Sequence, residues 1–397
     1  MLNNFKNPGF VSLIFLILTA LAPGNAKAQN DSCRFRVSLL TASPGAELYS
    51  TFGHSALRVI DSVSGRDLVF NYGTFNFDES NFYMKFIRGK LKYFLSVDDY
   101  NSFASDYSAD NRSLTEQVLN LTCGQADKVA EFLDWNMLPV NRFYKYDFTF
   151  DNCTTRLRDL VDTISGNAVK YRTILPKPIS FRNAIHDYLN RNNKSWDKLG
   201  IDILLGRKLD RLMTNREVSF LPDYLMMAFD SASIQNQPLV KDKQVILKRH
   251  FVVQQGDNIN NPLFIFSCLF VIIAFLSFSN KNSIRKMLAS LDGIFFFAYG
   301  LLGLILIFMW IGTDHFMTKD NYNLLWAWPT NIIAAFYINS RKSFARYYFL
   351  VFAIAELILL GLWFSLPQKL NPALIPLNAI MILRSFINFR KNKKDNG

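Results

Sequence analysis

From Pro262 onward the chain is a succession of apolar runs joined by short polar connectors, and few folds accept such a pattern. The runs fall at about 262–279, 292–312, 323–339, 347–366 and 373–389. Backbone surrounded by lipid must satisfy its hydrogen bonds within itself, so runs of this length predict helices that cross a bilayer. The third and fifth are near the lower limit of length for a span. About five spans are expected, with four spans and a re-entrant third run as the alternative.

The connectors give the bundle a direction. If the residues before Pro262 lie outside, then "NKNSIRK" (280–286), "SRKSFAR" (340–346) and the tail "RKNKKDNG" (390–397) lie inside, and each is basic. "TDHFMTKDNYN" (313–323) and "PQKLNP" (367–372) lie outside and carry one lysine each. Every connector then obeys the positive-inside rule. The whole chain of 397 residues has a formal charge of +12, which by itself would suit a nucleic-acid binder. From Pro262 onward, however, 13 Lys and Arg stand against 5 Asp and Glu, so +8 of the +12 belongs to the membrane half. Charge placed there orients spans and touches lipid headgroups, and nucleic acid is excluded as a partner. Glu356 sits in the middle of the fourth run and Arg384 lies inside the fifth. Ionisable groups at such depth pair or carry function, so a Glu356–Arg384 pair is expected, or Arg384 snorkelling to the interface.

The first residues have an apolar core from Phe10 to Leu21 followed by Ala26-Lys27-Ala28. That is the pattern of a secretory leader, with cleavage expected after Ala28 and an uncleaved anchor as the alternative. The expected organisation is a leader at 1–28, an exported domain at 29–260 and a membrane domain at 261–397. In the exported part "FRVSLLTA" reads as a strand and "SALRVID" as a second. "SVSGRD" is a hairpin turn into "LVFNYGTFNF". Apolar positions at helical spacing mark "GQADKVAEFLDWNML" (124–138), and "CTTRLRDLVDTIS" (153–165) follows Asp151 and Asn152, both good N-cap types. "SFASDYSADN", "SWDKLGIDILLGRKLD" and "FLPDYLMMAFDSA" read as further helices. The class is α+β.

Two stretches carry chemistry. "YSTFGHSALRV" (49–59) puts His54, one of four histidines, at the mouth of a strand. "YDFTFDNCTTRLRDLV" (146–161) puts Cys153 in the first turn of a helix. Unpaired N–H groups and the positive dipole end favour a thiolate there, and the same N–H groups can hold an oxyanion. A cysteine so placed becomes a nucleophile once a histidine reaches it. A polar group on the neighbouring strand should orient the imidazole. Asn71 and Asp61 are both available, and Asn71, deeper in the paired strand, is preferred. Read alone, Cys153 can equally be half of a disulfide with Cys33 or Cys123, and His54 a satisfied strand-end histidine. The fourth cysteine, Cys268, lies within an apolar run, so Cys33 and Cys123 can pair and leave Cys153 free. His186 has no strand or cap context, and His250 lies near the entry to the membrane.

Histidine first on a strand, then cysteine at a helix start, reverses the papain order. "FGHSALRV" and "DNCTTR" resemble the circularly permuted papain-like families such as lecithin:retinol acyltransferase. A longer likeness covers nearly the whole chain. "SPGAELYSTFGHSALRV", "YGTFNF", "NRFYKYDFTFDNCTTRLRD", "GIDILLG" and "FLPDYL" together resemble the lipoprotein N-acyltransferases of Bacteroidota. The resemblance implies an α+β, circularly permuted papain-like thiol domain followed by an α-helical transmembrane bundle. It implies His54 and Cys153 as the catalytic pair, in a multi-pass protein of the bacterial inner membrane with its N-terminal domain in the periplasm. It also implies a glycerophospholipid acyl donor and a diacylglyceryl lipoprotein acceptor. Asn71 as third member rests on the strand argument alone.

The outer loop "TDHFMTKDNYNLLWAWPTN" has the polar and aromatic density of a lipid-facing site. His315, Asn323 and Trp326 from it, with Glu356, are the candidates for substrate contact. No zinc spacing, P-loop or dinucleotide fingerprint is present, so neither metal nor cofactor is expected. A membrane-tethered cysteine peptidase or amidase with the same Cys–His pair is the enzyme alternative. A sensory or scaffold module with a structural Cys153 is the other.

Overall fold

The computed structural model describes residues 33–249, 260–340 and 342–394. The expected leader with its cleavage point, and His250, lie outside the described residues. The exported part is built on strands β1 (Phe35–Ala42), β2 (His54–Asp61), β3 (Asp67–Thr74), β4 (Lys92–Asp99), β5 (Leu114–Leu119) and β6 (Phe143–Lys145). Three short strands, β7 (Val169–Lys170), β8 (Ser233–Ile234) and β9 (Gln237–Pro238), form a small sheet of their own, and β10 (Val240–Leu247) returns to the large one. The large sheet is antiparallel in the order β10-β5-β1-β2-β3-β4-β6.

Helices α1 (Phe82–Ile87), α2 (Tyr100–Ala109), α3 (Cys123–Met137) and α4 (Cys153–Ile164) lie between or after these strands. α5 (Phe181–Arg191), α6 (Ser195–Leu204) and α7 (Pro222–Ser231) complete the domain. The centre of the sheet is covered on both faces, so most residues of β1 and β2 are buried although "SALRVID" alternates in sequence. On one face Leu39 and Leu57, paired across β1 and β2, pack with Val129 and Leu133 of α3 and Leu157 and Val161 of α4. On the other, Leu40, Ala56 and Val69 meet Phe103 of α2. A disulfide between Cys33 and Cys123 ties the start of β1 to the start of α3. Closing a chain loop of that length is worth about 4–5 kcal/mol in the entropic account.

The membrane half has α8 (Pro262–Ser277), α9 (Asn282–Ile311), α10 (Asn331–Ala335), α11 (Ser343–Leu362) and α12 (Leu374–Lys394). Of these, α9 and α11 are each long and apolar enough to cross a membrane, and α8 is a shorter apolar helix. The expected span at 323–339 is not one helix. It is a 3₁₀ turn at Tyr322–Leu325, then α10, then further turns. Its irregular backbone lies directly against α9, where Gly300 and Gly303 leave room for the backbone of Ile332 and Ala327. A Cβ at either glycine would collide with them. Burial inside protein is the condition on which non-helical backbone is tolerated at membrane depth.

The expected Glu356–Arg384 pair is not formed. Arg384 instead makes a bidentate contact with Asp292 of α9 (2.7 and 2.8 Å), and Asn388 donates to the same carboxylate at 3.1 Å. α9 begins at Asn282, well before the apolar run that starts at 292, so Asp292 lies inside a helix and faces α12. Removing one partner of such a buried pair costs about 3–5 kcal/mol.

The two halves are bolted together by backbone. Asn321 and Asn323 in the outer loop donate to the carbonyls of Ile203 (2.8 Å) and Asp202 (2.8 Å) at the end of α6. Gly206 N–H donates to the Met317 carbonyl at 2.8 Å. The exported domain therefore sits on the outer loops of the bundle in a fixed orientation.

Candidate active site

Gly53 begins the site. Its φ is +82°, and a Cβ there would stand 2.7 Å from the Ala42 carbonyl oxygen, so the turn into β2 requires glycine. That turn delivers His54 as the first residue of β2, opposite Ala42. Asn71, on the adjacent β3, lies with Oδ1 3.2 Å from His54 Nε2, while its Nδ2 donates to Asp98 Oδ2 at 2.7 Å. A carboxylate only accepts, so the amide must turn its nitrogen to Asp98 and its oxygen to His54. Nε2 therefore carries the hydrogen, and Nδ1 is left for the thiol. Asp61, the other candidate, is taken up by Arg34 at 2.8 Å.

Cys153 is the first residue of α4, as the cap residues require. Asn152 accepts from the N–H groups of Thr154 and Thr155, both at 2.8 Å. Its Nδ2 is clamped by the carbonyls of Phe148 (2.7 Å) and Phe220 (2.9 Å). This corrects the expectation that several helix-start donors stand ready for an oxyanion, since the cap uses two of them. The N–H of Cys153 itself is a donor the cap leaves alone. The Ser55 N–H donates to Sγ, and the Thr154 hydroxyl lies 3.7 Å from it. β3 and β4 shift register between Asn71 and Thr74. Gly73 in that bulge has a φ of +92° and brings the strand alongside Cys153 and Tyr146.

Burial disfavours charge on both groups, yet His54 is raised and Cys153 lowered from their ordinary values. The cause is each other's charge and their mutual hydrogen bond, helped at Cys153 by Ser55 and Thr154 and at His54 by Asn71. Each group thus favours the charged form of the other. The sign is testable. Alkylation of Cys153 should reach its plateau rate below the ordinary thiol value of about 8.5. In His54→Ala, which keeps the burial and loses the counter-charge, the midpoint should move above that value. An unchanged midpoint would remove the ion pair.

The pair opens into a cavity of about 560 Å³ whose walls are largely apolar, with Phe52, Tyr93, Tyr146 and Phe220 among them. That volume is ordinary for a small-molecule or lipid site. His315 from the outer loop also lines it, and its Nε2 lies 3.1 Å from the carbonyl of Phe86 in α1. Asn323, Trp326 and Glu356 lie elsewhere. Asn323 is fully buried against α6, and Trp326 donates to Asn323 at 2.9 Å and packs on Tyr299. Glu356 is enclosed in the bundle, with no hydrogen-bond partner among the described residues. His186 has more context than its sequence shows: it is on α5, capped by Ser180, and contacts Asp202 Oδ1 at 2.7 Å. Asp98 was not legible as a site residue, because only the pairing of β4 with β3 brings it to Asn71. Among the described residues no three His, Cys, Asp or Glu side chains are grouped to hold a metal.

The Lnb N-terminal periplasmic domain matches residues 23–186, and the Lnb transmembrane domain matches residues 254–396. The chain carries the two Lnb domains, in that order. It is thus a membrane protein with a periplasmic domain, of a family associated with lipoprotein processing. His54, Asn71, Asp98 and Cys153 all fall in the Lnb periplasmic match, whereas His315 falls in the transmembrane one. No curated protein and no solved structure matches the chain.

Proposed function

We propose that this protein moves an acyl chain from a membrane glycerophospholipid, by way of a thioester on Cys153, to the N-terminal α-amine of a diacylglyceryl-modified lipoprotein. One observation carries the reading. His54 and Cys153, each favouring the other's charged form, lie together in a largely apolar cavity that an outer loop of the membrane half helps to enclose. The Lnb match supports the choice of lipoprotein as acceptor.

In the first step the Cys153 thiolate attacks an ester carbonyl of the phospholipid. The N–H of Cys153, and that of Ser55 which already faces Sγ, are the donors for the oxyanion. As the C–O bond breaks, His54 gives its proton to the departing lysophospholipid oxygen. Asn71, held by Asp98, keeps the imidazole aimed throughout. In the second step the neutral amine of the acceptor attacks the thioester and His54 removes its extra proton. The amide forms and the thiolate leaves. Thioesters undergo aminolysis more readily than oxygen esters, which is the reason for a thiol. Of the four residues first considered for substrate contact, we assign that role to His315. In this reading the bundle is multi-pass in the inner membrane, with the basic connectors inside.

The test is a lipoprotein mass measurement in cells. Wild type should yield the three-chain form, and Cys153→Ser should leave a form lighter by one acyl chain. An unchanged mass in Cys153→Ser would end the proposal.

A further inference from the structure

We propose that Arg112 is an anion subsite that receives the phosphodiester of the acyl donor, an inference that rests on the reading above. Arg112 precedes β5, lines the same cavity as His54 and Cys153, and is 7% exposed. Ser43 and Tyr107 anchor it. Its Nε donates to the Ser43 carbonyl at 2.8 Å, and its guanidinium carbon stands 4.5 Å from the ring centre of Tyr107. Its Nη2 is buried and has no hydrogen-bond partner among the described residues.

A guanidinium is always charged, and burying one without a partner is unfavourable unless something supplies the missing acceptor. Tyr107 also hydrogen-bonds Arg112, but burial pushes its hydroxyl up to about 12, so that neighbour is neutral at physiological pH and Nη2 keeps no partner among the described residues. The charge of Arg112 also opposes protonation of His54. A buried cation with an unpartnered Nη2 at this cavity makes sense when an anion arrives with the substrate. The acceptor brings an amine and two neutral esters to the reacting centre. The donor brings a phosphodiester, joined to the glycerol carbon next to an esterified one. With an ester carbonyl at Cys153, that phosphate is the anion within reach of a planar donor fork suited to it. Once it is bound, the phosphate would also screen Arg112 from the imidazolium.

The experiment separates binding from chemistry by using lipids that cannot be cleaved. Full-length protein in neutral detergent is alkylated at Cys153 with and without a diether phospholipid or a diether diacylglycerol of the same chains. In wild type the diether phospholipid should protect at least about tenfold better than the neutral lipid, since a buried Arg–phosphate contact is worth a factor of that order. Arg112→Gln should lose that difference, and Arg112→Lys should keep part of it. Fast alkylation without lipid certifies that the variant site is intact. If a variant fails that check, the wild-type comparison decides alone. Equal protection by the two lipids, or protection by inorganic phosphate equal to that by the phospholipid, overturns the inference. The proposed function fails separately, if ordinary phospholipid leaves no acyl group on wild-type Cys153.

Discussion

Cys153→Ala and His54→Ala are each expected to reduce acyl transfer by at least about 10³-fold, and the double variant should be scarcely worse than either. The reason is that neither group does anything without the other. Burial opposes the thiolate, and the imidazole beside it is the main influence that lowers the thiol in spite of that burial. Removing the imidazole therefore loses the nucleophile as well as the proton donor. Independent contributions would instead multiply. Asn71→Ala should act more weakly, because it changes the aim of His54 and leaves the chemistry in place. Asp98→Asn should also weaken activity, since an amide there no longer forces the Asn71 oxygen toward the ring. Purified variants assayed with phospholipid and a diacylglyceryl-cysteine peptide measure all of this. Near-normal transfer by Cys153→Ala would show that another group carries the acyl chain. Variants whose losses simply multiplied would show that the two residues do not act as one unit.

The parts of the site that could be read from sequence are those governed by local rules. His54, Asn71 and Cys153 depend on a hairpin and a helix cap, and each leaves its mark within a few residues. "SALRVID", a short turn and "LVFNYGT" bring positions 54 and 71 to the same end of one hairpin. "DNCTTR" contains its own capping box, with Asn152 and Thr155 reciprocally bonded. Asp98 and Arg112 obey no such rule. β4, "KYFLSVDD", ends in two aspartates with nothing local to mark either, and Asp98 reaches Asn71 because β3 pairs with it. Arg112 reaches the cavity through the fold of the chain ahead of β5.

The membrane half divides in the same way. Its apolar runs were visible, but their partners were not. Glu356 and Arg384 read as partners from their depth in the runs, whereas Asp292, at the very edge of the second run, lies within α9 and is the residue that meets Arg384. The run at 323–339 has the composition of a span, yet Pro329 and the close approach to Gly300 and Gly303 keep it from being a helix. Composition reports that a segment is buried in something apolar. It does not distinguish lipid from a neighbouring helix.

The choice between transfer and hydrolysis depends on what resolves the thioester, and the second large effect is expected there. With phospholipid alone, wild-type protein should release about one equivalent of lysophospholipid and then stop as acyl-enzyme. Steady release of free fatty acid would instead mean that water is the acceptor, as in the peptidase or amidase alternative. The walls of the cavity argue for the stall. Phe52, Tyr93, Tyr146 and Phe220 surround the pair, and a largely apolar wall favours an acceptor that arrives with acyl chains over bulk water. Adding a diacylglyceryl-cysteine peptide with a free amino terminus should restart turnover, whereas the same peptide with its amine acetylated should not. The attacking amine must be neutral, so the restarted rate should rise with pH through the amine's own pKa of about 8. The first step should depend on pH differently. It needs the thiolate and the imidazolium together, so its rate should fall once pH exceeds the raised value of His54. The two half-reactions should thus respond to alkali with opposite signs, acylation slowing while aminolysis quickens. Burst amplitude and restart rate, measured separately across pH, test that opposition directly. If both slowed together above neutrality, His54 would be needed as an acid in the second step too, and the assignment of its proton-accepting role there would be wrong.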